Sequence, residues 1–108
     1  ETKLLNGLEL GCSGIITATT NVTASLARKT YDNFFNKYPN DINQKLCNVR
    51  LTFEKYNLIS ALHTLMTEKN DKFKNILPPL KLLTEYDKQE LLFNLKELNF
   101  DIETLKAA

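Results

Sequence analysis

Two glycines and the short β-branched run that follows them, near the amino terminus, constrain the fold of this chain more than any other feature. Gly11 ends a stretch with helical spacing, and Gly14 opens a β-branched, apolar run over residues 15–19. A helical pattern begins directly after the polar residues 19–21. A strand that leads at once into a helix is typical of parallel α/β barrels, which bind substrate at the carboxyl ends of their strands. The sequence therefore predicts a short buried strand at residues 14–19.

The remainder of the chain has helical periodicity. Residues 2–10 are interpreted as the end of a helix that Gly11 caps in a left-handed conformation. Further helices are predicted at 23–37, 41–56, 58–68 and 85–99, with the first of these capped by Asn21 or Thr23. Their predicted apolar faces are Ala27, Tyr31, Phe34, Phe35 and Tyr38; then Ile42, Leu46, Val49, Phe53 and Tyr56; then Leu58, Ile59, Ala61, Leu62, Leu65 and Met66; and finally Leu91, Leu92, Leu95 and Leu98.

Local signals set the breaks between these helices. Asn57 is interpreted as the break before the third predicted helix, and Pro78-Pro79 predicts a non-helical crossing over residues 73–83. Thr84 and Asp87 resemble a capping box at the start of the last long helix. A final turn is predicted around Ile102 and Leu105.

Length, charge and cysteine content exclude several classes of function. The chain has 108 residues, which is one domain at most, and its 14 basic residues nearly balance its 13 acidic ones. This balance gives no electrostatic reason to expect nucleic acid or a membrane as a partner. Cys12 and Cys47 form no CxxC pair and His63 is the single histidine, so no metal site is expected. We interpret both cysteines as small core residues of a cytoplasmic protein.

No catalytic set can be assembled from the sequence alone. All twelve lysines lie on predicted helix faces or in polar turns, where burial cannot favour the unprotonated amine that a Schiff-base enzyme requires. The four tyrosines have helical spacing and are interpreted as packing residues, and His63 as a packed or rim residue. Residues 16–19 remain as the candidate site, beside the simpler reading that their threonines merely suit a strand.

The register of residues 11–21 resembles the last barrel strand of the dihydrodipicolinate synthase and N-acetylneuraminate lyase family, which reads G-A-D-G-V-I-S-V-T-A-N or close to it. Thr17 replaces the family's serine, and five residues match: Gly11, Gly14, Ile16, Thr19 and Asn21. Residues 57–62 stand where the family has an N-P-I-P-x-K segment, with both prolines and the lysine replaced. Residues 75–78 stand where it has an R-L-P crossing.

The resemblance implies a class I aldolase-type lyase or synthase that forms a Schiff base with pyruvate or a related 2-oxo acid, without metal or organic cofactor. It implies that Ile16 lines the pocket for the pyruvyl group and that Thr17 and Thr19 lie at the mouth of that pocket. The family's Schiff-base lysine, tyrosine proton relay and carboxylate-binding threonine pair belong to earlier strands. This chain alone is therefore expected to be inactive.

The predicted fold is mainly α. Residues 1–38 are expected to be the end of a (β/α)8 barrel, with its last strand and helix, and residues 39–108 a carboxyl-terminal helical domain. The chain would then be the last third of a longer enzyme. The alternative is a self-standing helical interaction module without catalysis, which the four amphipathic stretches support.

The predicted strand has no predicted neighbour in this chain. It must pair with a copy of itself, join a helix or an irregular loop, or stay exposed. We expect a homo-oligomer, most simply a two-fold dimer that buries Ile15 and Ile16 with the stripe of Tyr31 and Phe34.

Overall fold

The computed structural model describes residues 1–102, and the regular structure within them is helical. The elements are α1 (Leu4–Glu9), α2 (Thr20–Phe35), α3 (Ile42–Phe53), α4 (Leu58–Met66), a short 3₁₀ helix (Asp71–Lys74) and α5 (Glu85–Glu97). The prediction of a mainly α fold is confirmed for these residues. The turn predicted around Leu105 lies outside them.

The predicted strand at residues 14–19 is wrong. Residues 12–17 have no regular structure, and a turn at 18–19 leads into α2. Residues 13–16 make no backbone hydrogen bond to any described residue. A strand is defined by the hydrogen bonds to its neighbour, and no other described segment supplies that neighbour.

The start of α2 also differs from the prediction. The helix begins at Thr20, and Thr19 occupies its N-cap without a capping hydrogen bond from its side chain. Asn21 and Thr23 therefore lie inside the helix rather than at its cap. Thr23 has non-helical backbone angles (φ −117°, ψ 15°), which places a kink one turn after the start.

The chain divides into two compact units, Glu1–Arg50 and Leu51–Ala108. The boundary falls within α3. The sequence analysis divided the chain after residue 38, into the end of a barrel and a carboxyl-terminal helical domain. That division stays a prediction.

The core of the first unit forms between α1, α2 and the first part of α3. Leu4 and Leu8 of α1 pack with Ala27 and Leu46, and the partly buried side chains of Leu26, Tyr31 and Phe34 pack against this cluster. The predicted aromatic face of α2 is only partly correct, because Phe35 and Tyr38 are exposed. Ala27 is buried as predicted, and the small Thr30, which was not predicted, is buried beside it, which leaves the rings at the edge of the core.

Gly11 has the predicted role. Its φ of +90° lies in the left-handed region, where a side chain would be strained. The reversal lets the backbone N–H of Cys12 donate to the carbonyl of Gly7 at 2.9 Å, which satisfies one of the last free carbonyls of α1.

In the second unit, α4 packs against both α5 and the 3₁₀ helix. The buried apolar side chains of these two α-helices are Ala61, Leu62, Leu65, Met66, Leu91 and Leu95, all of which the periodicity predicted. Of the other predicted positions, Ile59 is exposed, and three are half-buried: Leu58, Leu92 and Leu98. Asn57 caps α4 by accepting from the N–H of Ser60 at 3.0 Å. Thr84 caps α5 by accepting from the N–H of Asp87 at 3.2 Å, which confirms the predicted cap.

The predicted face of α3 is confirmed at three of its five positions. Leu46, Val49 and Phe53 are completely buried. Ile42 is half-buried, and Tyr56 lies beyond the end of the helix.

Candidate functional site

The three residues predicted to contact substrate lie in three different environments. Ile16 is fully exposed to solvent, Thr17 is half-buried, and Thr19 is completely buried. The side chains of Thr17 and Thr19 therefore pack against the rest of the first unit, whereas that of Ile16 points into solvent.

The side chain of Thr17 is held by the carboxylate of Glu1. Its hydroxyl lies 3.2 Å from Oε2 of Glu1, and the hydroxyl of Thr23 lies 2.5 Å from Oε1. The Thr23 hydroxyl is also 3.1 Å from the carbonyl oxygen of Thr19. Because a hydroxyl carries one proton, the shorter contact to the charged acceptor is the stronger hydrogen bond. Glu1 thus fixes two threonines with the two oxygens of one carboxylate.

The side chain of Thr19 is held by a residue of α3. Nη1 of Arg50 donates to Oγ1 of Thr19 at 2.6 Å. Arginine has no acceptor, so the threonine oxygen must accept, and its orientation is set by the guanidinium. We call Glu1, Thr17, Thr19, Thr23 and Arg50 the threonine cluster.

The loop that leads to the cluster is closed by side-chain bonds to its own backbone. The hydroxyl of Thr20 donates to the carbonyl of Thr17 at 2.7 Å, and Nδ2 of Asn21 donates to the carbonyl of Ala18 at 2.8 Å. These bonds compete with a strand ladder for the same carbonyls. They explain why the chain turns here and why α2 begins early.

The threonine cluster contains no group that could form a Schiff base, and its side chains are bonded to one another. Within residues 1–102 no lysine is buried; Lys45 and Lys88 are half-buried and the others are exposed, as predicted. Hydroxyl, carboxylate and guanidinium groups supply hydrogen bonds and charge, not an amine nucleophile.

Two further titratable side chains, Tyr56 and His63, form contacts outside the threonine cluster. The hydroxyl of Tyr56 donates to Oε1 of Glu90 at 2.6 Å, and burial, followed by this bond to a carboxylate, raises the pKa of Tyr56 above its ordinary value. Nδ1 of His63 lies 2.9 Å from the carbonyl of Phe73 and so carries the proton, with the ring edge-on to that of Phe73. Both side chains are half-buried, as predicted, although Tyr56 lies beyond the end of α3 rather than on it.

The cysteines only partly follow the prediction. Cys47 is half-buried, but Cys12 is exposed, because it lies in the irregular segment rather than before a buried strand. Both are free thiols. Among residues 1–102, no group of three side chains could hold a metal ion.

The second unit has an open cleft of about 590 Å³. Its lining combines apolar side chains of α4 and α5 with charged groups: Leu65, Glu68, Lys69, Leu92, Leu95, Lys96, Asn99, Phe100, Asp101 and Ile102. None of these residues belongs to the predicted site.

Sequence reasoning missed Glu1 and Arg50. Arg50 lies 31 residues from its partner Thr19, and Glu1 lies 22 residues from Thr23, so no local pattern joins them. One signal was available for Arg50. It shares the i, i+3, i+4, i+7 face of α3 with Leu46, Val49 and Phe53, where an arginine requires a polar partner.

No protein-family model, curated protein or solved structure matches this chain. In the described part of the chain, no helix has the length and apolar character needed to cross a membrane.

Proposed function

We propose that this chain is the carboxyl-terminal portion of a Schiff-base lyase or synthase similar to dihydrodipicolinate synthase, acting in the cytoplasm on pyruvate or a related 2-oxo acid. The observation that carries the proposal is the order of elements around residues 12–19. A helix ends at a left-handed glycine, a segment without backbone partners follows, and α2 begins at once. The end of a (β/α)8 barrel separated from its other strands would have this order.

The exposure of the side chains in this segment supports the same origin. Ile15 is 36% exposed, Ile16 is fully exposed, and Thr17 is half-buried. An isoleucine in full contact with water is expected where the apolar surface that covers it belongs to another part of the protein.

The proposed roles follow the resemblance. Ile16 would line the pocket for the pyruvyl group, and Thr17 and Thr19 would lie at its mouth. Arg50 would act through Thr19 by fixing the orientation of its hydroxyl, and Glu1 would do the same for Thr17. The Schiff-base lysine would come from an earlier part of the enzyme, and the reaction would require neither metal nor organic cofactor.

Trapping with pyruvate and borohydride tests this proposal. Reduction converts a Schiff base into a stable amine, so the protein gains the mass of the reduced pyruvyl group. We expect no adduct on the 108-residue chain, and one adduct per molecule on the product translated together with its upstream coding sequence. A stoichiometric adduct on any of the twelve lysines, or a natural product with an intact mass of 12.4 kDa, would overturn the proposal.

A self-standing helical interaction module is the second candidate. It is favoured by the buried core of the first unit, in which Leu4, Leu8, Ala27 and Leu46 pack together without residues from a barrel. A natural product of 12.4 kDa that unfolds cooperatively would select this candidate over the enzyme.

A further inference from the structure

We propose that Asn6 is a modification site, at which the backbone nitrogen of Gly7 displaces the side-chain amide and helix α1 controls how fast this happens. Asn6-Gly7 is the single Asn-Gly pair in the sequence. The proposal goes beyond the proposed enzyme. It is tested without pyruvate, so its failure is distinct from a failure of the proposed function.

The reaction is an intramolecular acyl transfer that consumes only water. The nitrogen of Gly7 attacks Cγ of Asn6, the new N–Cγ bond closes a five-membered succinimide ring, and the Cγ–Nδ2 bond breaks. Ammonia leaves with the proton of the Gly7 N–H. Water then opens the ring at either of its two carbonyls, which leaves aspartate or isoaspartate at position 6. Glycine permits this attack most readily, because it has no side chain beside the nitrogen and its backbone rotates most freely.

The side chain of Asn6 is accessible, whereas the nitrogen that attacks it is held by α1. Asn6 is exposed, and its side-chain amide makes no hydrogen bond within residues 1–102. The N–H of Gly7 donates to the carbonyl of Lys3 at 2.9 Å. This bond and the helical backbone angles hold the nitrogen out of line with Cγ. The attack therefore requires that α1 opens around Asn6.

Few local interactions keep α1 closed. The helix has six residues, no side-chain hydrogen bond at its N-cap, no acidic residue in its first turn and no basic residue in its last turn. Gly7, near its middle, is a poor helix former. Leu4 and Leu8 pack with Ala27 and Leu46. This packing, rather than helix propensity, therefore determines how often Asn6 can react.

The modification weakens the same helix. Either product places a negative charge in the last turn of α1, close to Glu9, where the partial charge of the helix end is also negative. Isoaspartate also adds one backbone atom between Leu4 and Leu8, which disrupts the spacing that places both on one face. The reaction thus converts a slow chemical change into the release of α1 from the first unit.

Incubation in mildly alkaline buffer, with and without urea, tests the site and its control by α1. Peptide mapping should show at position 6 the mass difference between an amide and a carboxyl group. We expect the folded chain to react about 10- to 1,000-fold more slowly than the chain in urea, because marginal helices open locally at a small cost in free energy. Equal rates would show that α1 does not control the reaction. A folded chain that keeps Asn6 beyond that range would show that it is not modified in the native protein, and either result would overturn the proposal.

Gly7→Ala tests the attacking nitrogen without crowding the fold. A Cβ at this position would lie 3.7 Å from Cβ of Cys12, which is an ordinary contact. We expect the substitution to slow the reaction in urea about tenfold, because the added methyl group hinders the attack. Asn75, which is exposed and followed by the branched Ile76, is the internal control and should stay intact. An unchanged rate in Gly7→Ala, or equal rates at Asn6 and Asn75, would overturn the proposal.

Leu8→Ala tests the role of packing independently. It should speed the loss of the Asn6 amide in the folded chain and leave the rate in urea unchanged. Leu10→Ala is the matched control, since Leu10 lies just beyond α1 and is 77% exposed. Circular dichroism checks that the other helices are retained, and Leu8→Val is used where Leu8→Ala loses them. Equal rates for the variants at positions 8 and 10 would overturn the control by α1.

Discussion

The guanidinium of Arg50 donates a 2.6 Å hydrogen bond to the hydroxyl of Thr19, which is completely buried. This bond joins α3 to the residue that precedes α2, across 31 positions of sequence. A buried hydroxyl that loses its partner retains the cost of its desolvation. The pair therefore fixes the end of the irregular segment, at the position where the proposed substrate pocket would open.

We expect Thr19→Val and Arg50→Met each to lower the free energy of unfolding by about 1–3 kcal/mol, because each removes one side of this buried hydrogen bond. The double variant should lose less than the sum of the single losses, with a coupling of about 1 kcal/mol. Urea unfolding of the four proteins measures the coupling without counting the other contacts that Arg50 makes.

Arg28→Met is the matched control for this cycle. Arg28 forms an ion pair with Asp32 at 2.9 Å, but the arginine side chain is 72% exposed. A pair so exposed contributes little, so we expect a change below about 0.5 kcal/mol. Strict additivity of Thr19→Val and Arg50→Met would show that the buried bond has no energetic role.

The apolar face of α3 gives the second prediction. Leu46→Ala and Phe53→Ala should each lower the free energy of unfolding by about 2–5 kcal/mol, because each removes a completely buried side chain and leaves a cavity. Chemical denaturation measures both. Leu51→Ala, at a site 49% exposed on the same helix, should change it by less than about 0.5 kcal/mol. Equally small losses at Leu46 and Phe53 would mean that this face is not core.

The apolar face of α3 and the threonine cluster differ in how far the sequence could predict them. The buried face of α3 follows from a periodicity contained within twelve residues, and the caps at Asn57 and Thr84 need only a partner three positions on. The partners of Thr17 and Thr19 lie far away in sequence, and only the tertiary structure brings them together. The composition of residues 14–19 favours a strand, whereas the lack of a second predicted strand left an irregular loop open as an outcome. The bonds from Thr20 and Asn21 to the carbonyls of Thr17 and Ala18, which also oppose a ladder, were not predicted.

The third prediction concerns the cap of α5. Thr84→Ala should cost about 1 kcal/mol, because the N–H of Asp87 loses the hydroxyl that accepts from it at 3.2 Å. Thermal or urea unfolding measures the loss. Thr84→Ser is the matched control and should stay close to the original stability, since serine supplies the same oxygen. An equal loss in both variants would assign the effect to the threonine methyl group rather than to the cap.

The fourth prediction is a pH dependence from the ion pair between Lys88 and Glu68. Nζ of Lys88 lies 2.7 Å from Oε1 of Glu68, and this hydrogen bond raises the pKa of Lys88 above its usual 10.5. The folded protein therefore holds the proton more tightly than the unfolded chain. The stabilisation is complete below pH 10.5 and is lost as the pH rises through the higher pKa of the folded state.

The free energy involved is small, because the side chain of Glu68 is 43% exposed and water screens the pair; we expect less than about 1 kcal/mol. Urea unfolding of Lys88→Met and the original chain between about pH 8 and pH 11.5 should show a difference that shrinks above pH 10.5. Other groups that titrate in both proteins cancel in this difference. In a Glu68→Gln background, Lys88→Met should produce a smaller pH-dependent difference in the free energy of unfolding. Lys81→Met, at an exposed lysine in the crossing before α5, should differ from the original chain by an amount that does not change with pH. A difference for Lys88→Met that stays constant through this range would show that the ion pair does not stabilise the fold.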